Sequence, residues 1–386
     1  MKIVFLVRDL GLGGVERCVA LVSEGLIARG MDVSIVMLGG SRNLWAARTG
    51  TAKIIDLSGV WQGKKPWTWL AGWLATRQIM KGADLVIPAT FLMPLYMAYA
   101  ATRGLNNTRI IAWVHGPLFE LDQFATMNPI HRSACQFIYR RLKELVFVSE
   151  HARDSLARWL QQPITEGWRV LPNFVDEGIV DLASVVHPRG QDKTLCPPYE
   201  NHGSLSTQPL QLLFVGRIAS EKQPHLWLDT LASLNQRNVA AQLTIVGDGP
   251  MQEWLQSEAN QRGLASKVRF AGHQSNVSGY LAAADVLLLT SSFEGCPLVV
   301  LEAMPLGVVV ASTNAGGVYE LFGQRRAEFV TDTASGEALA TLIISQQRPE
   351  LSTWLKQRAK HYSASHILQQ WMDLCEQSTI TPKPKP

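Results

Sequence analysis

The sequence predicts an α/β protein of two Rossmann-like, doubly wound domains, each a parallel sheet covered by helices on both faces. Two observations carry that expectation. Short continuous apolar runs alternate with helix-length segments, the pattern of strands buried on both faces. The alternation occurs twice, on either side of a stretch between 187 and 209 rich in Pro, Gly, Ser and Asn. At 386 residues, 47% hydrophobic and 18% charged, the chain is long and apolar enough for two cores.

The first strand is expected over Lys2–Val7. This opening run is apolar for five residues before Arg8 and lacks a small-residue cleavage site, so it reads as a strand and not as a signal peptide. A glycine turn, 11–14, leads into a helix over Glu16–Ala28, closed by Gly30. Strands follow at Val33–Leu38, Leu85–Ile87, Ile110–Val114 and Leu145–Val148. Leu85 to Thr102 is uncharged for 18 residues, the length of a membrane span. Pro88 and Pro94 interrupt it, so it reads as a buried strand and then a buried helix over Leu95–Ala101, with no transmembrane helix.

The first domain is placed at 1–175, a linker at 176–209, and the second domain at 210–363. Strands of the second are expected at Gln211–Val215, Gln242–Val246, Val268–Phe270, Val286–Leu289 and Val308–Ala311. The last helix, about 364–377, is expected to cross back to the first domain, and the Pro- and Lys-rich tail at 378–386 to be disordered. In such a pair, ligand is expected at the strands' carboxyl ends, in the cleft between the domains.

Five scattered cysteines without metal-ligand spacing suggest a reduced, cytoplasmic protein without disulfides. Residues 1–175 carry 20 Lys/Arg against 12 Asp/Glu, whereas the remainder carries 16 against 20. A basic half beside an acidic half suggests one face that meets something anionic. Nothing in the pattern points to nucleic acid.

Chemistry concentrates in the second half. Phe293-Glu294-Gly295-Cys296-Pro297-Leu298 follows the apolar run Val286–Leu289 and leads into a helix holding Glu302. Pro297 suits the first helical position, which places Glu294 at a strand's carboxyl end and Glu302 about two turns into the helix. Carboxylates accept hydrogen bonds from sugar hydroxyls, and the N–H groups of Gly295, Cys296, Leu298 and Val299 suit phosphate. One element can thus hold a sugar, a ribose and the phosphates joining them. Upstream, Gly216 ends a strand, and Arg217 and Lys222 follow in a short loop. A guanidinium fork and a point-charge ammonium suit a diphosphate, although a solvated pair such as Glu221–Lys222 would look similar. Gly247-Asp248-Gly249 is a turn that lets a base or phosphate approach the backbone.

These segments, Phe214-Val215-Gly216-Arg217 with Glu221-Lys222, Ile245-Val246-Gly247-Asp248-Gly249-Pro250, Phe293 to Ala303 and Asn314-Ala315-Gly316-Gly317, occur in an order that resembles the retaining glycosyltransferases of family 4. The resemblance covers about residues 1–330 and implies the GT-B architecture, two facing Rossmann-like domains. It implies that Arg217 and Lys222 neutralise a donor diphosphate, that Glu302 binds the nucleotide ribose, and that Glu294 lies against the donor sugar. Backbone near Cys296–Leu298 would hold hydroxyls and phosphate oxygens. Protein cations and helix dipoles would replace a divalent metal, so no metal and no cofactor is expected beyond a UDP- or GDP-linked sugar substrate. In the first domain, Gly11-Leu12-Gly13-Gly14-Val15-Glu16-Arg17 fails as a nicotinamide fingerprint, because Glu16 occupies the third glycine's place. It fits the family's Gly-Gly loop, with Gly13 and Gly14 near donor phosphates and acceptor. His115, after Trp113-Val114, matches a histidine that touches the donor sugar. Glu150 is either a functional residue of the cleft or a helix cap. Gln223 and Pro305 to Val309 depart from the family's glycine-containing loops, which puts local geometry in doubt and leaves the charged residues intact.

The implied reaction transfers a hexosyl or N-acetylhexosaminyl group, with retention, from a nucleoside-diphosphate sugar to a glycan or lipid-linked acceptor. Two rivals are a catalytically silent binding subunit and an enzyme resembling the nucleotide-sugar 2-epimerases. Residues 61–81 hold four tryptophans and four Lys/Arg with no acidic residue. Lys64, Lys65, Trp69, Trp73 and Arg77 are candidates for contact with an anionic inner-membrane face, the alternative being that the rings are core.

Overall fold

A computed structural model describes all residues except 12, 41–42, 61–64, 66–67, 176–208, 275 and 378–386. The expected linker and disordered tail, together with Lys64 and Cys196, fall outside the described residues. The chain divides into two compact units, Met1–Asn173 with Ala364–Pro386, and Phe174–Ser363.

In the first unit, the elements are β1 (Lys2–Val7), α1 (Gly14–Ile27), β2 (Asp32–Met37), β3 (Lys53–Asp56), α2 (Trp69–Met80), β4 (Leu85–Pro88), α3 (Met93–Thr102), β5 (Arg109–Val114), α4 (Leu118–Ala125), α5 (Pro129–Tyr139), β6 (Glu144–Phe147), α6 (Glu150–Leu160) and β7 (Trp168–Val170). In the second, they are β8 (Leu210–Val215), α7 (His225–Gln236), β9 (Ala241–Val246), α8 (Gln252–Gln261), β10 (Val268–Gly272), α9 (Ser278–Ala282), β11 (Val286–Leu289), α10 (Leu298–Leu306), β12 (Val309–Thr313), α11 (Val318–Phe322), β13 (Val330–Thr331), α12 (Gly336–Ser345) and α13 (Pro349–Ala359). The last helix, α14 (Ala364–Glu376), belongs to the first unit.

Both sheets are parallel. The first is ordered β3-β2-β1-β4-β5-β6-β7, and the second β10-β9-β8-β11-β12-β13. Each starts from a central strand, winds outward, then returns to the other side. The strand order therefore reverses between β1 and β4, and again between β8 and β11. At such a reversal the connections leave in opposite directions and open a crevice outside the carboxyl ends.

The central strands are dry. Ile3 to Val7 and Leu85 to Ile87 are wholly buried, as are Leu287 and Leu288. In the second unit, Phe214, Trp227 and Leu243 join one cluster under β8 and β9. Each large apolar side chain so buried contributes ~1.5–3 kcal/mol, so the cores hold the sheets without help from the loops. The loops at the carboxyl ends can therefore carry charge.

Helix α14 docks by shape and by charge. Leu368 lies where a Cβ on Gly25 would stand, 2.4 Å from its Cδ1, so α1 and α14 approach closely because that residue is glycine. Trp371 meets Trp113 edge-on at 4.7 Å, and Arg109 donates to the Cys375 carbonyl at 3.0 Å. The stretch from Leu85 to Thr102 forms β4 and α3, and no helix among the described residues is long and apolar enough to cross a membrane.

Candidate functional site

The second unit's topological reversal is where the charged residues gather. Strand β8 runs into Gly216, Arg217 and a tight turn over Ser220–Lys222, while β11 runs into Thr290, Ser291 and the loop to α10. Lys222 Nζ lies 2.6 Å from Glu294 Oε1 and 3.3 Å from Ser291 Oγ, and Ser291 Oγ donates to the same carboxylate oxygen at 2.7 Å. The expected cation and the expected carboxylate thus meet, bridged by a serine. Arg217 instead pairs with Glu221, so the loop pair is Arg217–Glu221 and not Glu221–Lys222. The Arg217 side chain is 66% exposed and can leave that partner at little cost.

Several bonds tie the two loops together. Ser292 N–H donates to the Glu221 carbonyl at 2.8 Å. Glu294 N–H donates to the Ala315 carbonyl at 2.7 Å, and Gly317 N–H to the Glu294 carbonyl at 3.2 Å. The Asn314 to Gly317 segment is therefore a strap across the Glu294 loop. Helix α10 begins at Leu298, and Pro297 is its N-cap in extended backbone (ψ 120°), one position before the expected one. Proline suits both places because its missing N–H is not needed in either. Glu302 stands just over one turn into the helix, short of the two turns expected, and its side chain is buried. Gly295, Cys296 and Leu298 frame the helix start, with Cys296 buried.

The Gly247-Asp248-Gly249 turn packs on the Arg217 loop through backbone. Gly247 has φ +131°, and a Cβ there would stand 2.0 Å from the Gly216 carbonyl oxygen. Only glycine permits that approach. Ile218 N–H donates to the Asp248 carbonyl at 2.8 Å, so Asp248 acts here by its main chain while its side chain is exposed.

The first unit carries the remaining candidates. Gly13 caps α1 in extended backbone, and Gly14 is the helix's first residue. The Glu16 carboxylate fills the space above Gly13, so a ligand approaching that backbone must displace it. His115 follows β5, its ring 4.2 Å from Trp113. Its Nε2 is sealed from solvent and meets no hydrogen-bond partner among the described residues. Burial pushes its pKa down to about 3, so the imidazole is neutral near pH 7. Ser149 caps α6 by accepting from Ala152 N–H at 3.2 Å, which makes Glu150 the first helical residue and not the cap.

The aromatic segment splits. On α2, Trp73 and Ile79 pack against the core that contains Met80, whereas Trp69, Leu70 and Leu74 are 47%, 66% and 52% exposed. Arg77 corrects the expectation of a free surface cation. Its Nη1 donates to the Ala101 and Arg103 carbonyls at 2.8 and 2.7 Å, closing the end of α3. Lys65 is exposed.

Sequence reasoning missed Ser291 and Thr290. The available signal was a pair of hydroxyl residues directly after the apolar run Val286–Leu289, at a strand end beside a reversal. Among the described residues no group of His, Cys, Asp or Glu side chains is arranged to hold a metal ion.

Comparison with known proteins bears directly on this geometry. The profile described as Glycosyltransferase Family 4 matches residues 12–178, and that of Glycosyl transferases group 1 matches residues 200–361. The chain is 31% identical over 278 residues to a Campylobacter jejuni GalNAc-alpha-(1->4)-GalNAc-alpha-(1->3)-diNAcBac-PP-undecaprenol alpha-1,4-N-acetyl-D-galactosaminyltransferase, covering 66% of this chain and 74% of that one. It is 36% identical over 120 residues to the Vi polysaccharide biosynthesis protein VipC/TviE of Salmonella typhi, 31% of this chain and 21% of that one. The latter match, like that to a glycogen synthase of Mycobacterium tuberculosis at 28% of its length, spans under a third of the relative. Among solved structures, Anabaena HepE in complex with UDP-glucose superposes with a TM-score of 0.76 at 18% identity, covering 99% of this chain and 100% of that one. At that identity the likeness is one of fold. With both units matched in chain order and one relative aligned over 74% of its length, the chain belongs to the family 4 glycosyltransferases of GT-B fold.

Proposed function

We propose that this protein is a retaining glycosyltransferase that moves a hexosyl or N-acetylhexosaminyl group from a UDP- or GDP-linked sugar to a hydroxyl of a glycan or lipid-linked acceptor. The observation that carries the proposal is the joined set Lys222–Ser291–Glu294, held at the second unit's topological reversal beside Arg217 and the start of α10. When the anomeric carbon leaves the diphosphate oxygen, negative charge grows on the leaving group. Arg217, Lys222 and the α10 N-terminus face that charge, so no metal is required. As the diphosphate attracts Lys222, Glu294 is released from its ion pair to accept hydrogen bonds from sugar hydroxyls, while Glu302 takes the ribose. His115 is neutral, its Nε2 meets no partner among the described residues, and that nitrogen would bond to the sugar once donor binding opens it. The products are a glycoside with unchanged anomeric configuration, the nucleoside diphosphate and a proton.

The relatives' names favour a place in cell-surface polysaccharide synthesis, and we extend the proposal to lipopolysaccharide synthesis and to the cytoplasmic side of the membrane. The exposed ridge of Trp69, Leu70 and Leu74 beside Lys65 supports peripheral contact with an anionic bilayer face. The test is incubation of the purified protein with a panel of UDP- and GDP-sugars, followed by proton NMR of any product. Release of nucleoside diphosphate together with an anomer matching the donor supports the reading. An inverted anomer refutes retention, and no release from any donor by a folded protein refutes the enzyme.

A further inference from the structure

Lys222 sits in a turn that strains its own backbone. The next residue, Gln223, adopts φ +48° and ψ 58°, a left-handed conformation that a side chain disfavours. Local bonds restrain it along the chain: Lys222 N–H reaches the Ala219 carbonyl at 2.9 Å, Gln223 N–H the Ser220 carbonyl at 3.1 Å, and Leu226 N–H the Gln223 carbonyl at 3.0 Å. A second restraint comes from beneath. Thr290 Oγ1 donates to the Lys222 carbonyl at 2.6 Å, and Trp227 Nε1 donates to Thr290 Oγ1 at 2.6 Å. Thr290 and Trp227 are both wholly buried, and the Trp227 ring packs at a tilt against Phe214 of β8, centroids 3.8 Å apart.

The direction of this chain is fixed by chemistry. An indole N–H can only donate, so Thr290 must accept from Trp227 and has one proton left, which goes to the Lys222 carbonyl. Neither group can find water as a substitute partner. Resting on the donor-binding reading above, we infer that Trp227 and Thr290 are positioning residues that clamp the strained Lys222 turn from the core, presetting the ammonium for the donor diphosphate. Thr290 also begins the loop that carries Ser291 and Glu294, so its hydroxyl, together with the Ser292 N–H to Glu221 carbonyl bond, registers the cation loop against the carboxylate loop. Lys222 then changes partner by a side-chain swing, with its backbone held.

The test compares binding of a nucleoside diphosphate with binding of the bare nucleoside, using UDP and uridine, or GDP and guanosine if wild type prefers GDP. Thr290→Val keeps the shape and removes the proton that reaches Lys222. It should weaken diphosphate binding roughly five- to tenfold and leave nucleoside binding unchanged, because only the phosphate end depends on the turn. Thr290→Ser should restore wild-type affinity. Adding Gln223→Gly to Thr290→Val should recover part of the loss, since glycine removes the strain that the clamp opposes. Should Thr290→Val fail to fold, Trp227→Phe gives the same comparison with a smaller loss expected. Equal loss for diphosphate and nucleoside would show a general structural role and overturn the clamp, as would unchanged diphosphate binding. If wild type binds neither diphosphate, the donor-binding reading itself falls, and the clamp with it.

Discussion

The two units share one winding and use it for different chemistry. In the second, the loops after β8 and β11 bring opposite charges together, and Ser291 joins Lys222 to Glu294. In the first, the corresponding loop after β1 offers glycine backbone, and the loop after β5 offers His115, packed on Trp113, which Trp371 backs in turn. Identical topology thus places one set of polar, exchangeable contacts and one neutral ring on an apolar support. Strand order decides where loops converge, and loop residues decide what converges there.

The largest expected effect breaks the charged side of that contrast. Lys222→Ala, or Arg217→Ala, should lower turnover ~10²–10³-fold, as expected when a donor to developing charge is lost. The melting temperature should move little, because both side chains are at least partly exposed. A folded variant with wild-type turnover removes these residues from the mechanism. Next comes the bridge itself. Ser291→Ala should reduce turnover about tenfold while nucleoside-diphosphate binding stays close to wild type, because Glu294 loses its orientation and Lys222 keeps its charge. If diphosphate binding falls as far as turnover, Ser291 serves the cation and not the carboxylate.

The first unit answers to pH. The folded pKa of His115, about 3, lies below the ordinary value of ~6.5, so the unfolded chain takes up a proton first as pH falls. Its contribution to stability is therefore present above pH ~6.5 and lost progressively below it. His115→Gln should show a smaller drop in melting temperature between pH 7.5 and 5 than wild type. Equal drops in the two proteins would mean that the imidazole titrates normally. The smallest effect concerns α2. Replacing Leu70 and Leu74 by Ser, together with Lys65→Ala, should weaken binding to anionic vesicles severalfold at low salt. If wild type ignores such vesicles, the exposed ridge does not serve the bilayer and soluble acceptors move ahead.

What the sequence disclosed followed burial and local pattern. Strands β1, β8 and β11 were legible because both faces are covered and their residues run apolar without interruption. Strands β3, β7 and β13 were missed: β3 is a half-exposed edge with two isoleucines between charges, and the others span three and two residues. The charged candidates were legible as types at strand ends, but their pairing was not. Lys222 and Glu294 stand 72 positions apart, and a hydroxyl pair at a strand end marks a site without saying which residues it will join. Likewise, the sequence left open whether the rings of residues 61–81 face a membrane or the core, and packing turned Trp73 inward and left Trp69, Leu70 and Leu74 outside. Arg77 read as a surface cation because its carbonyl partners lie 24 and 26 residues downstream.

The central claim is that the second unit's reversal is a diphosphate site whose resting counter-ion is its own glutamate. Calorimetric titration of UDP and GDP into wild type, Lys222→Ala and Glu294→Gln tests it most directly. Wild type should bind one of the two nucleotides, Lys222→Ala should bind it at least tenfold more weakly, and Glu294→Gln should bind it as tightly or more tightly because the lysine no longer has to leave a carboxylate. Weaker binding by Glu294→Gln, or undiminished binding by Lys222→Ala, would contradict the exchange on which the account rests.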